Sequence, residues 1–286
     1  MKIIGSFPKT RLRRLRKHKW LRNLISENNL STNDLVLPVF VREGSNKIES
    51  IESMPGVKRY TIDKLNTILK EVKKHKIPMI ALFPYVSNKK KDNTGSEALN
   101  PNNLICKSLR LIKKKFPEIG VMCDVALDPY TSHGHDGVMI NNQIDNDQTI
   151  SILAEQALLQ ARMGADIIAP SDMMDGRIGI IRKILDENNY QNISILSYAI
   201  KYASNFYGPF RDAVGSKSKL KMDKKSYQMD FRNSFDIYKE VGFDLKEGAD
   251  MILIKPGIIY LDIINKIKKS FNVPILAYQV SGEYSL

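Results

Sequence analysis

The sequence predicts an α/β protein, a TIM-type (β/α)8 barrel that follows a basic N-terminal arm and lacks its last β/α unit. Seven apolar, β-rich runs of strand length recur along the chain, and segments with helical periodicity lie between them. Residues 164–166 and 248–250 both read Gly-Ala-Asp, which twice places a glycine where a helix should stop, just before a strand. Strands that alternate with helices form right-handed βαβ units around a parallel sheet.

The predicted strands are nearly continuous apolar runs, as expected of parallel strands that are covered on both faces. They are Leu35–Val41, Ile77–Tyr85, Ile119–Leu127, Ala165–Ser171, Ile193–Ala199, Ala249–Pro256 and Val273–Ser281. The predicted helices are Ile62–Lys74, Asn103–Lys115, Gln148–Met163, Gly176–Asn188, Phe235–Glu247 and Ile258–Ser270. A closed barrel needs eight strands, so seven predict an incomplete barrel with two unpaired edges. The alternative is a doubly wound open sheet, although no glycine-rich phosphate loop follows the first strand.

Composition indicates one large globular unit with an unusual N-terminus. The 286 residues are 43% hydrophobic and 26% charged, and the net charge is +13. Residues 1–22 are rich in Lys and Arg and contain no Asp or Glu. We therefore divide the chain into a basic arm, residues 1–30, and a barrel, residues 31–286. Such an arm can bind nucleic acid. The other lysines, however, are scattered over polar helical faces without interleaved aromatic residues, so an arm that packs against another subunit or attracts anionic substrates is favoured.

The sequence predicts neither a membrane protein nor a secreted one. No apolar run reaches the roughly 20 residues that span a bilayer, and the N-terminus lacks the apolar core of a signal peptide. Cys106 and Cys123 alone cannot form a disulfide framework. These observations predict a cytoplasmic protein with no membrane partner and no nucleic-acid partner.

Polar residues at the carboxyl ends of the predicted strands are the candidates for a site, because barrel enzymes assemble their active sites there. Alternation along the third strand places Asp124, Ala126 and Asp128 on one face. The fifth strand leads to Lys201, and the sixth ends at Lys255. A lysine at a strand end is most often solvated, so either lysine alone is a weak signal.

Two lysines at one barrel mouth predict a nucleophilic amine. Repulsion between them and partial desolvation both favour the neutral form. An unperturbed lysine is neutral in only about 0.04% of molecules at pH 7, whereas a pKa lowered by about 3 units makes roughly a third of it nucleophilic. Formation of a Schiff base with a ketone requires such an amine. We therefore predict Schiff-base chemistry at Lys201 and Lys255.

The segment after Lys201 predicts a lid. Residues 205–212 combine aromatic side chains with Arg211, and Lys224 follows further on. Both cations are suited to clamp a substrate carboxylate. The intervening residues 215–221 are rich in lysine, as expected of a loop that closes over an anion. The alternative is a segment that only packs on the barrel rim.

Five motifs resemble the porphobilinogen synthase (5-aminolevulinate dehydratase) family, and the resemblance extends from about Arg11 to the last residue. They are residues 130–137 (YTSHGHDG), 169–177 (APSDMMDGR), 206–212 (FYGPFRD), 248–257 (GADMILIKPG) and 278–283 (YQVSGE). So many motifs in one order do not match by chance. The resemblance implies a lyase that condenses two molecules of 5-aminolevulinate to porphobilinogen with loss of two waters, in tetrapyrrole and heme biosynthesis.

The resemblance also implies roles for particular residues. Lys255 would form a Schiff base with the ketone of one substrate, and Lys201 with that of the other. The other implied contacts are Arg211, Lys224 and Gln228 around one substrate (the A site), Ser281 at the carboxylate of the other (the P site), and Tyr207 in the pocket wall. Lys224 stands where many relatives carry arginine. A lysine ammonium is a single point charge, whereas an arginine guanidinium can bind a carboxylate through two parallel hydrogen bonds. The resemblance further implies a homo-oligomer, an octamer, with the arm against a neighbouring subunit.

The metal content is where the sequence departs from part of the family. Zinc-dependent relatives carry three cysteines after the third strand, and these positions hold Ala126, Asp128 and Asp136 here. Without thiolates a zinc triad cannot form there, and Cys123 lies on the opposite strand face. The resemblance therefore places the sequence in the zinc-independent, aspartate-rich branch.

Other ions and ligands suit the same positions better. Asp124, Asp128 and Asp136 carry hard oxygens, suited to Mg²⁺, to a monovalent ion, or to hydrogen bonds with a substrate ammonium and no metal. His133 and His135 are weaker candidates for a metal site because they lie two residues apart in a loop.

Glu240 matches the position that holds an allosteric Mg²⁺ through its water shell in many bacterial and plant relatives. The alternative is a solvated helix carboxylate. We therefore expect Mg²⁺ at Glu240 and no zinc in the active site.

Two other functions stay open on sequence alone. One is a non-catalytic, truncated barrel that binds or assembles with other subunits. The other is a Schiff-base lyase of the class I aldolase kind, which would not need the second lysine, the aspartate-rich loop and the lid arginine together. Retention of Lys201, Lys255, Asp124, Ser281 and Arg211 favours an active enzyme.

Overall fold

Seven parallel strands form the centre of the fold, and each overlaps a predicted strand. The computed structural model describes residues 5–215 and 223–284, and these contain eleven strands. They are β1 (Val36–Arg42), β2 (Ile48–Ser50), β3 (Lys58–Thr61), β4 (Met79–Tyr85), β5 (Gly120–Val125), β6 (Val138–Ile140), β7 (Gln143–Asp145), β8 (Ile167–Pro170), β9 (Ser194–Lys201), β10 (Met251–Lys255) and β11 (Ile275–Ala277). The seven predicted strands are confirmed as β1, β4, β5, β8, β9, β10 and β11.

Nine strands of the described residues make one sheet, in the order β11-β10-β9-β8-β5-β4-β1-β3-β2, and β6 pairs with β7 as a separate hairpin. Neighbours from β11 through to β3 are parallel, and β2 runs antiparallel to β3. Parallel neighbours need a crossover connection, and helices supply it here.

The helices are α1 (Lys19–Leu24), α2 (Leu65–Lys74), α3 (Leu104–Lys115), α4 (Asn146–Arg162), α5 (Arg177–Glu187), α6 (Gly208–Ala213), α7 (Asp236–Glu247), α8 (Leu261–Ser270) and α9 (Ser281–Tyr284). Six of them, α2, α3, α4, α5, α7 and α8, coincide with the predicted helices and connect consecutive central strands. The α/β class with a mostly parallel sheet is therefore confirmed.

Side-chain caps and glycines set the ends of these helices. Asn103 and Asp145 begin α3 and α4, and their side-chain oxygens accept hydrogen bonds from backbone N–H groups three residues on, at 2.8 and 2.9 Å. Gly164 and Gly248 follow α4 and α7 with φ of +102° and +111°. That left-handed conformation ends a helix at low cost only at glycine, which confirms the prediction from the repeated Gly-Ala-Asp junction.

Alternate side chains of the central strands pack into separate layers, which explains why the strands lack polar alternation. On β5, Val121 and Cys123 pack in a cluster with residues of α2, α3 and α4, whereas Met122 packs on the opposite face of the sheet. The strand residues of that second cluster are Phe40, Ala81, Phe83, Met122, Ala169, Leu196, Tyr198 and Leu253.

The sheet is strongly curved, since the rings of Phe83 and Tyr278 lie 6.2 Å apart. Phe83 belongs to β4, Tyr278 follows β11, and five strand-to-strand steps separate those strands in the sheet. In a flat sheet they would lie about 24 Å apart, at about 4.8 Å a step. The second face is therefore concave, and its side chains converge as they do inside a barrel.

The described residues do not form a closed barrel. Among them, β11 pairs only with β10, and the edges of the sheet are β2 and β11. On the other side, β3 lies parallel beside β1 and covers its edge. The expectation of an unpaired edge at the first central strand is therefore wrong. The sequences of β2 (IES) and β3 (KRYT) are short and polar, so a search for apolar runs does not find them.

A second hairpin, β6–β7, was also not predicted. Its turn is Asn141-Asn142, with φ of +50° and +60°. Two-residue hairpin turns of this kind need positive φ at both positions, which Asn tolerates. The Asn pair between Met139-Ile140 and Gln143-Ile144 is the signal that identifies it.

The N-terminal arm packs little against the rest of the described chain. It contains a 3-10 turn at Leu12–Arg16 and the short α1, and every residue from 5 to 30 except Leu21 is exposed. In the part of the chain that the structure describes, no helix has the length and apolarity to cross a membrane.

Candidate active site

A cavity lies at the carboxyl ends of the central strands, on the concave face of the sheet. It is lined by Phe83, Asp124, Asp128, Ser171, Lys201, Tyr207, Phe210, Arg211, Lys224, Gln228 and Lys255. Most of the residues selected from sequence are therefore brought together, although they come from β5, β9, β10, α6 and the segment after residue 222. Barrel enzymes place their sites at this end of the strands.

Lys201 and Lys255 end two neighbouring parallel strands, β9 and β10, and are paired in register. Side chains at paired positions point to the same face of a sheet. Each lysine is 5% exposed, and both line the cavity. The structure thus brings two amines into one buried space.

Aromatic rings surround the amine of Lys255. Its Nζ lies 4.4 Å from the ring centre of Tyr278, 4.5 Å from Phe210, 5.3 Å from Tyr207 and 5.5 Å from Tyr198. Burial lowers the pKa of Lys255 to about 7, and the nearby Lys201 ammonium acts in the same direction. About half of this amine is then neutral at pH 7, which makes Lys255 a competent nucleophile.

The carboxylate of Asp136 is shared by Lys201 and Lys224. Lys201 Nζ lies 3.3 Å from Oδ1, and Lys224 Nζ lies 2.7 Å from Oδ2. Lys201 also donates to the backbone carbonyl of Ser171, and the Tyr227 hydroxyl donates to Oδ2 of Asp136 at 2.7 Å. Burial alone would raise the pKa of Asp136, but the two ammonium groups hold it well below its usual range. The ionised carboxylate therefore fixes both lysine side chains.

Two further carboxyl groups face the cavity. Asp128 Oδ2 lies 3.6 Å from Lys224 Nζ. Burial raises the pKa of Asp124 to about 7, and the carboxylate of Asp128 adds to the rise. Oδ1 of Asp124 is buried and has no hydrogen-bond partner among the described residues. A carboxyl group that titrates near neutral pH and has an unused acceptor is suited to bind a substrate ammonium or to exchange its proton.

The wall opposite the sheet is formed by α6 and the residues that hold it. Phe210 and Arg211 of α6 line the cavity. The backbone N–H of Phe210 donates to Oγ of Ser281 at 3.0 Å, so Ser281 fixes the start of α6 from beside the cavity. The hydroxyl of Tyr207 lies 3.1 Å from the carbonyl oxygen of Lys255, and this contact fixes the position of the C-terminal end of β10.

Gln228 adds a second unused polar group to the site. It is 4% exposed, and its Oε1 has no hydrogen-bond partner in the described part of the chain. A buried amide oxygen without a donor costs free energy, so this oxygen is available to a ligand. The cationic lid that the sequence predicts at residues 215–221 lies outside the described residues, apart from Gly215.

Glu240 lies away from this cavity. It is part of α7 and lines a second cavity together with Asp175, Arg177, Asp236 and Asp244. Burial raises the pKa of Glu240 to about 7; the Asp244 carboxylate raises it further, and the Arg177 guanidinium lowers it. Glu240 is thus half-buried in an acidic setting rather than freely solvated.

The two loop histidines take part in hydrogen bonds with the protein. Nδ1 of His135 lies 3.1 Å from the Tyr227 hydroxyl, and Nε2 of His133 lies 3.2 Å from the carbonyl of Asn93. Within residues 5–215 and 223–284, no three His, Cys, Asp or Glu side chains come together to hold a metal ion.

Several residues of the site were not selected from sequence. Ser171 ends the fourth predicted strand, and the strand-end rule applied to the other strands would have found it. Tyr227 lies between Lys224 and Gln228, but nothing in a linear sequence shows its hydrogen bond to Asp136. Tyr198, Phe210 and Tyr278 around Lys255 have the composition of ordinary core, so only the fold distinguishes them.

Residues 9–286 match the family described as Delta-aminolevulinic acid dehydratase. The enzyme of that name from Bradyrhizobium diazoefficiens is 54% identical over 276 residues, which cover 96% of this chain and 78% of the relative. The one from Rhodobacter capsulatus is 45% identical over 284 residues, with coverage of 99% and 86%. A crystal structure of the Toxoplasma gondii enzyme in complex with porphobilinogen superposes with a TM-score of 0.94 at 43% identity and covers 96% of this chain and 79% of that one. The chain described here therefore belongs to the delta-aminolevulinic acid dehydratase family.

Proposed function

We propose that this chain condenses two molecules of 5-aminolevulinate to porphobilinogen with loss of two waters, as a hydro-lyase of tetrapyrrole biosynthesis. The observation that carries the proposal is the pairing of Lys201 and Lys255 in one buried cavity, with the pKa of Lys255 lowered to about 7. Relatives that share 43–54% of this sequence are named for this activity. A class I aldolase would use only one such lysine.

The neutral amine of Lys255 attacks the ketone of one substrate, and Lys201 attacks the ketone of the other. Each Schiff base forms with release of one water. The C–C bond forms when the enamine of one substrate adds to the Schiff-base carbon of the other, and a later elimination, with loss of a proton from carbon, releases that lysine. The amino group of one substrate displaces the second lysine as the C–N bond forms, so the net reaction loses two waters. Proton loss from carbon completes the pyrrole, and Asp124, with its pKa raised to about 7, is placed to accept a proton.

The polar groups around the cavity suit the ends of the substrate. Arg211 and Lys224 supply positive charge for a carboxylate, and Gln228 and Asp124 offer unused buried acceptors for an amino group. Ser281 contacts the start of α6, where its hydroxyl would donate to the carboxylate of the second substrate in place of the carbonyl of Phe206, while it still accepts from the N–H of Phe210.

Borohydride reduction in the presence of 5-aminolevulinate tests the proposal. We expect peptide mass spectrometry to find reduced adducts on Lys255 and, at higher substrate concentration, on Lys201. The absence of adducts together with the absence of porphobilinogen would indicate the inactive, assembly-only alternative. Adducts formed with aldol substrates instead would indicate the aldolase alternative.

We also propose that the site works without zinc, as in the aspartate-rich branch. Its support is the arrangement of Asp128, Asp136 and Lys224 where zinc-dependent relatives carry thiolates. The Lys224 ammonium lies between the two carboxylates, 2.7 and 3.6 Å from their oxygens, and together with Lys201 on Asp136 it balances their charge. A divalent ion there would have to displace Lys224, and the carboxylates are harder ligands than zinc prefers.

Mg²⁺ is proposed at Glu240, outside the active site. Glu240 and the nearby Asp175, Asp236 and Asp244 offer hard oxygen donors. The pKa of Glu240 is raised because a buried carboxylate among others is unfavourable, and a cation would relieve that repulsion. No cage of three acidic ligands is formed by the described residues, so one carboxylate and a shell of waters is the arrangement that fits.

The fold and assembly proposals rest on the open sheet and the exposed arm. The curved, parallel sheet is proposed to belong to a (β/α)8 barrel. The arm exposes Phe7, Trp20 and Leu24 by 76%, 64% and 74%, and such side chains are suited to a subunit interface. We propose a cytoplasmic homo-oligomer, an octamer, in which the arm packs on a neighbour; a monomeric mass by light scattering would contradict this.

A further inference from the structure

The helix α6 carries two side chains of the cavity, Phe210 and Arg211, yet it has only six residues. A helix this short is unstable alone, because nucleation costs more free energy than a few hydrogen bonds regain. Contacts with the rest of the protein must therefore set its position. Ser281 holds the first turn through the N–H of Phe210. The last turn is held by Arg59, from the β2–β3 hairpin.

Arg59 donates to two carbonyls at the end of α6. Its Nε donates to the carbonyl of Ala213 at 2.7 Å, and Nη2 donates to that of Asp212 at 2.6 Å. Nη1 bonds the carboxylate of Glu49 at 2.5 Å, and the guanidinium lies 4.3 Å from the ring centre of Tyr85. Arg59 is 7% exposed. The final carbonyls of a helix have no partner within it, so this buried guanidinium acts as its C-terminal cap.

The loop between β2 and β3 adds two contacts to the same turn. Oγ of Ser53 donates to Oδ2 of Asp212 at 2.7 Å. Ala213 is fully buried in a cluster that includes Ile51 and Met54 of the same loop. The hairpin therefore holds the last turn of α6 through hydrogen bonds and apolar packing together.

We propose that Arg59, assisted by Ser53, is a positioning residue for substrate binding: it fixes α6 so that Arg211 meets the substrate carboxylate and Phe210 covers Lys255. This role rests on the proposed dehydratase function of the cavity. Arg59 touches neither the cavity nor the reacting atoms, so its effect on the reaction passes through α6. A displacement of about 1 Å in a binding side chain is enough to impair an enzyme strongly.

The test compares Arg59→Met with a matched control, Arg182→Met. Arg182 of α5 makes the same set of bonds elsewhere: it donates to the carbonyls of Ile193 and Tyr190 at 2.7 and 3.1 Å and to the carboxylate of Asp186 at 2.8 Å. None of these partners lines the cavity. Both variants keep the aliphatic stem and lose one guanidinium that bridges two carbonyls and a carboxylate, so they share any general loss of stability.

We expect KM for 5-aminolevulinate to rise about 10- to 100-fold in Arg59→Met, the effect of losing one charged hydrogen-bonded contact, with kcat changed less than KM. Backbone amides of residues 208–214 should exchange hydrogen faster in Arg59→Met than in the parent chain. Arg182→Met should leave KM and this exchange unchanged. Equal KM values and equal exchange in the two variants would overturn the proposal, as would a loss confined to kcat.

Two further points keep the result decisive. If Arg59→Met does not fold, Ser53→Ala, which removes a single bond to α6, should still raise KM and speed exchange at residues 208–214, and no change in either would overturn the proposal. Hydrogen exchange does not depend on turnover. A parent chain that makes no porphobilinogen therefore contradicts the proposed function, whereas unaltered exchange in Arg59→Met contradicts the role of Arg59.

Discussion

Replacement of Lys255 by Met should abolish turnover and at the same time stabilise the protein at neutral pH. Burial lowers the pKa of Lys255 from its ordinary 10.5 to about 7. Such a shift lowers the free energy of unfolding by about 4 kcal/mol at pH 7, compared with a lysine whose pKa is the same in the folded and the unfolded protein. The aromatic rings around Nζ offset about 1 to 2 kcal/mol of the cost of burying the ammonium charge. Met fills a similar volume, so we expect a net gain of about 2 to 3 kcal/mol.

The pH dependence of this gain identifies its origin. Below pH 7, Lys255 is protonated in both the folded and the unfolded protein, and the cost of burying the charge is fully present. Between pH 7 and about 10.5 the unfolded chain binds the proton and the folded protein does not, so the parent gains stability as pH rises. The advantage of Lys255→Met should therefore be largest at pH 6 to 7 and should shrink towards pH 10.

Denaturant unfolding of the parent and of Lys255→Met at pH 6, 7, 8, 9 and 10 measures this difference, and porphobilinogen formation measures turnover. Lys266→Met is a suitable control, because that lysine is solvent-accessible and, among the described residues, bonds only its helix neighbour Asp262. We expect Lys266→Met to change the free energy of unfolding by no more than about 0.5 kcal/mol at every pH. A Lys255→Met protein that is less stable than the parent at pH 6, or whose advantage grows with pH, would refute the assignment of Lys255 as a desolvated amine.

Three other changes test the remaining proposals. A zinc chelator should leave activity unchanged, because Lys201 and Lys224 together already neutralise the carboxylates of Asp128 and Asp136; loss of activity that zinc restores would contradict the zinc-free site. Lys224→Met should cost about 3 to 5 kcal/mol of unfolding free energy, since it leaves Asp136 with one buried partner fewer. Lys224→Arg should keep most of that stability, and equal losses in the two variants would contradict the charge argument. Glu240→Gln should remove any stimulation by Mg²⁺ and any Mg²⁺-dependent rise in melting temperature; stimulation that persists would exclude Glu240 as the ligand.

The candidate site was predictable from sequence where strand ends determine it. Asp124, Lys201 and Lys255 follow apolar runs, and a parallel sheet brings the carboxyl ends of its strands to one edge. The side-chain contacts were not predictable in the same way. The bonds of Asp136 to Lys201 and Lys224 join residues that lie 65 and 88 positions apart, and no local pattern encodes them.

The fold shows the same division between local and non-local information. Every central strand and its crossover helix was found, because long apolar runs and helical periodicity are strong local signals. The hairpin β2–β3 was missed because its strands are short and the buried side chains of β3, Arg59 and Thr61, are polar. Arg59 has the sequence context of a surface residue, and only the arrival of α6 some 150 residues later buries it. Short polar strands are stabilised by such contacts rather than by their own composition.

The two buried lysines of the cavity show how loops give different surroundings to equivalent positions of one sheet. Lys201 and Lys255 occupy equivalent positions at the ends of adjacent strands, so the sheet itself treats them alike. Their surroundings differ because of the segments that follow other strands. The loop after β5 supplies Asp136, which holds Lys201 in an ion pair, whereas α6 and the end of β11 supply Phe210 and Tyr278, which enclose Lys255 in apolar surface. Lys255 is consequently the amine that is ready to attack first. We expect the order in which the two substrates are bound to reverse if the ion pair were placed at Lys255 and the apolar enclosure at Lys201, with both lysines kept.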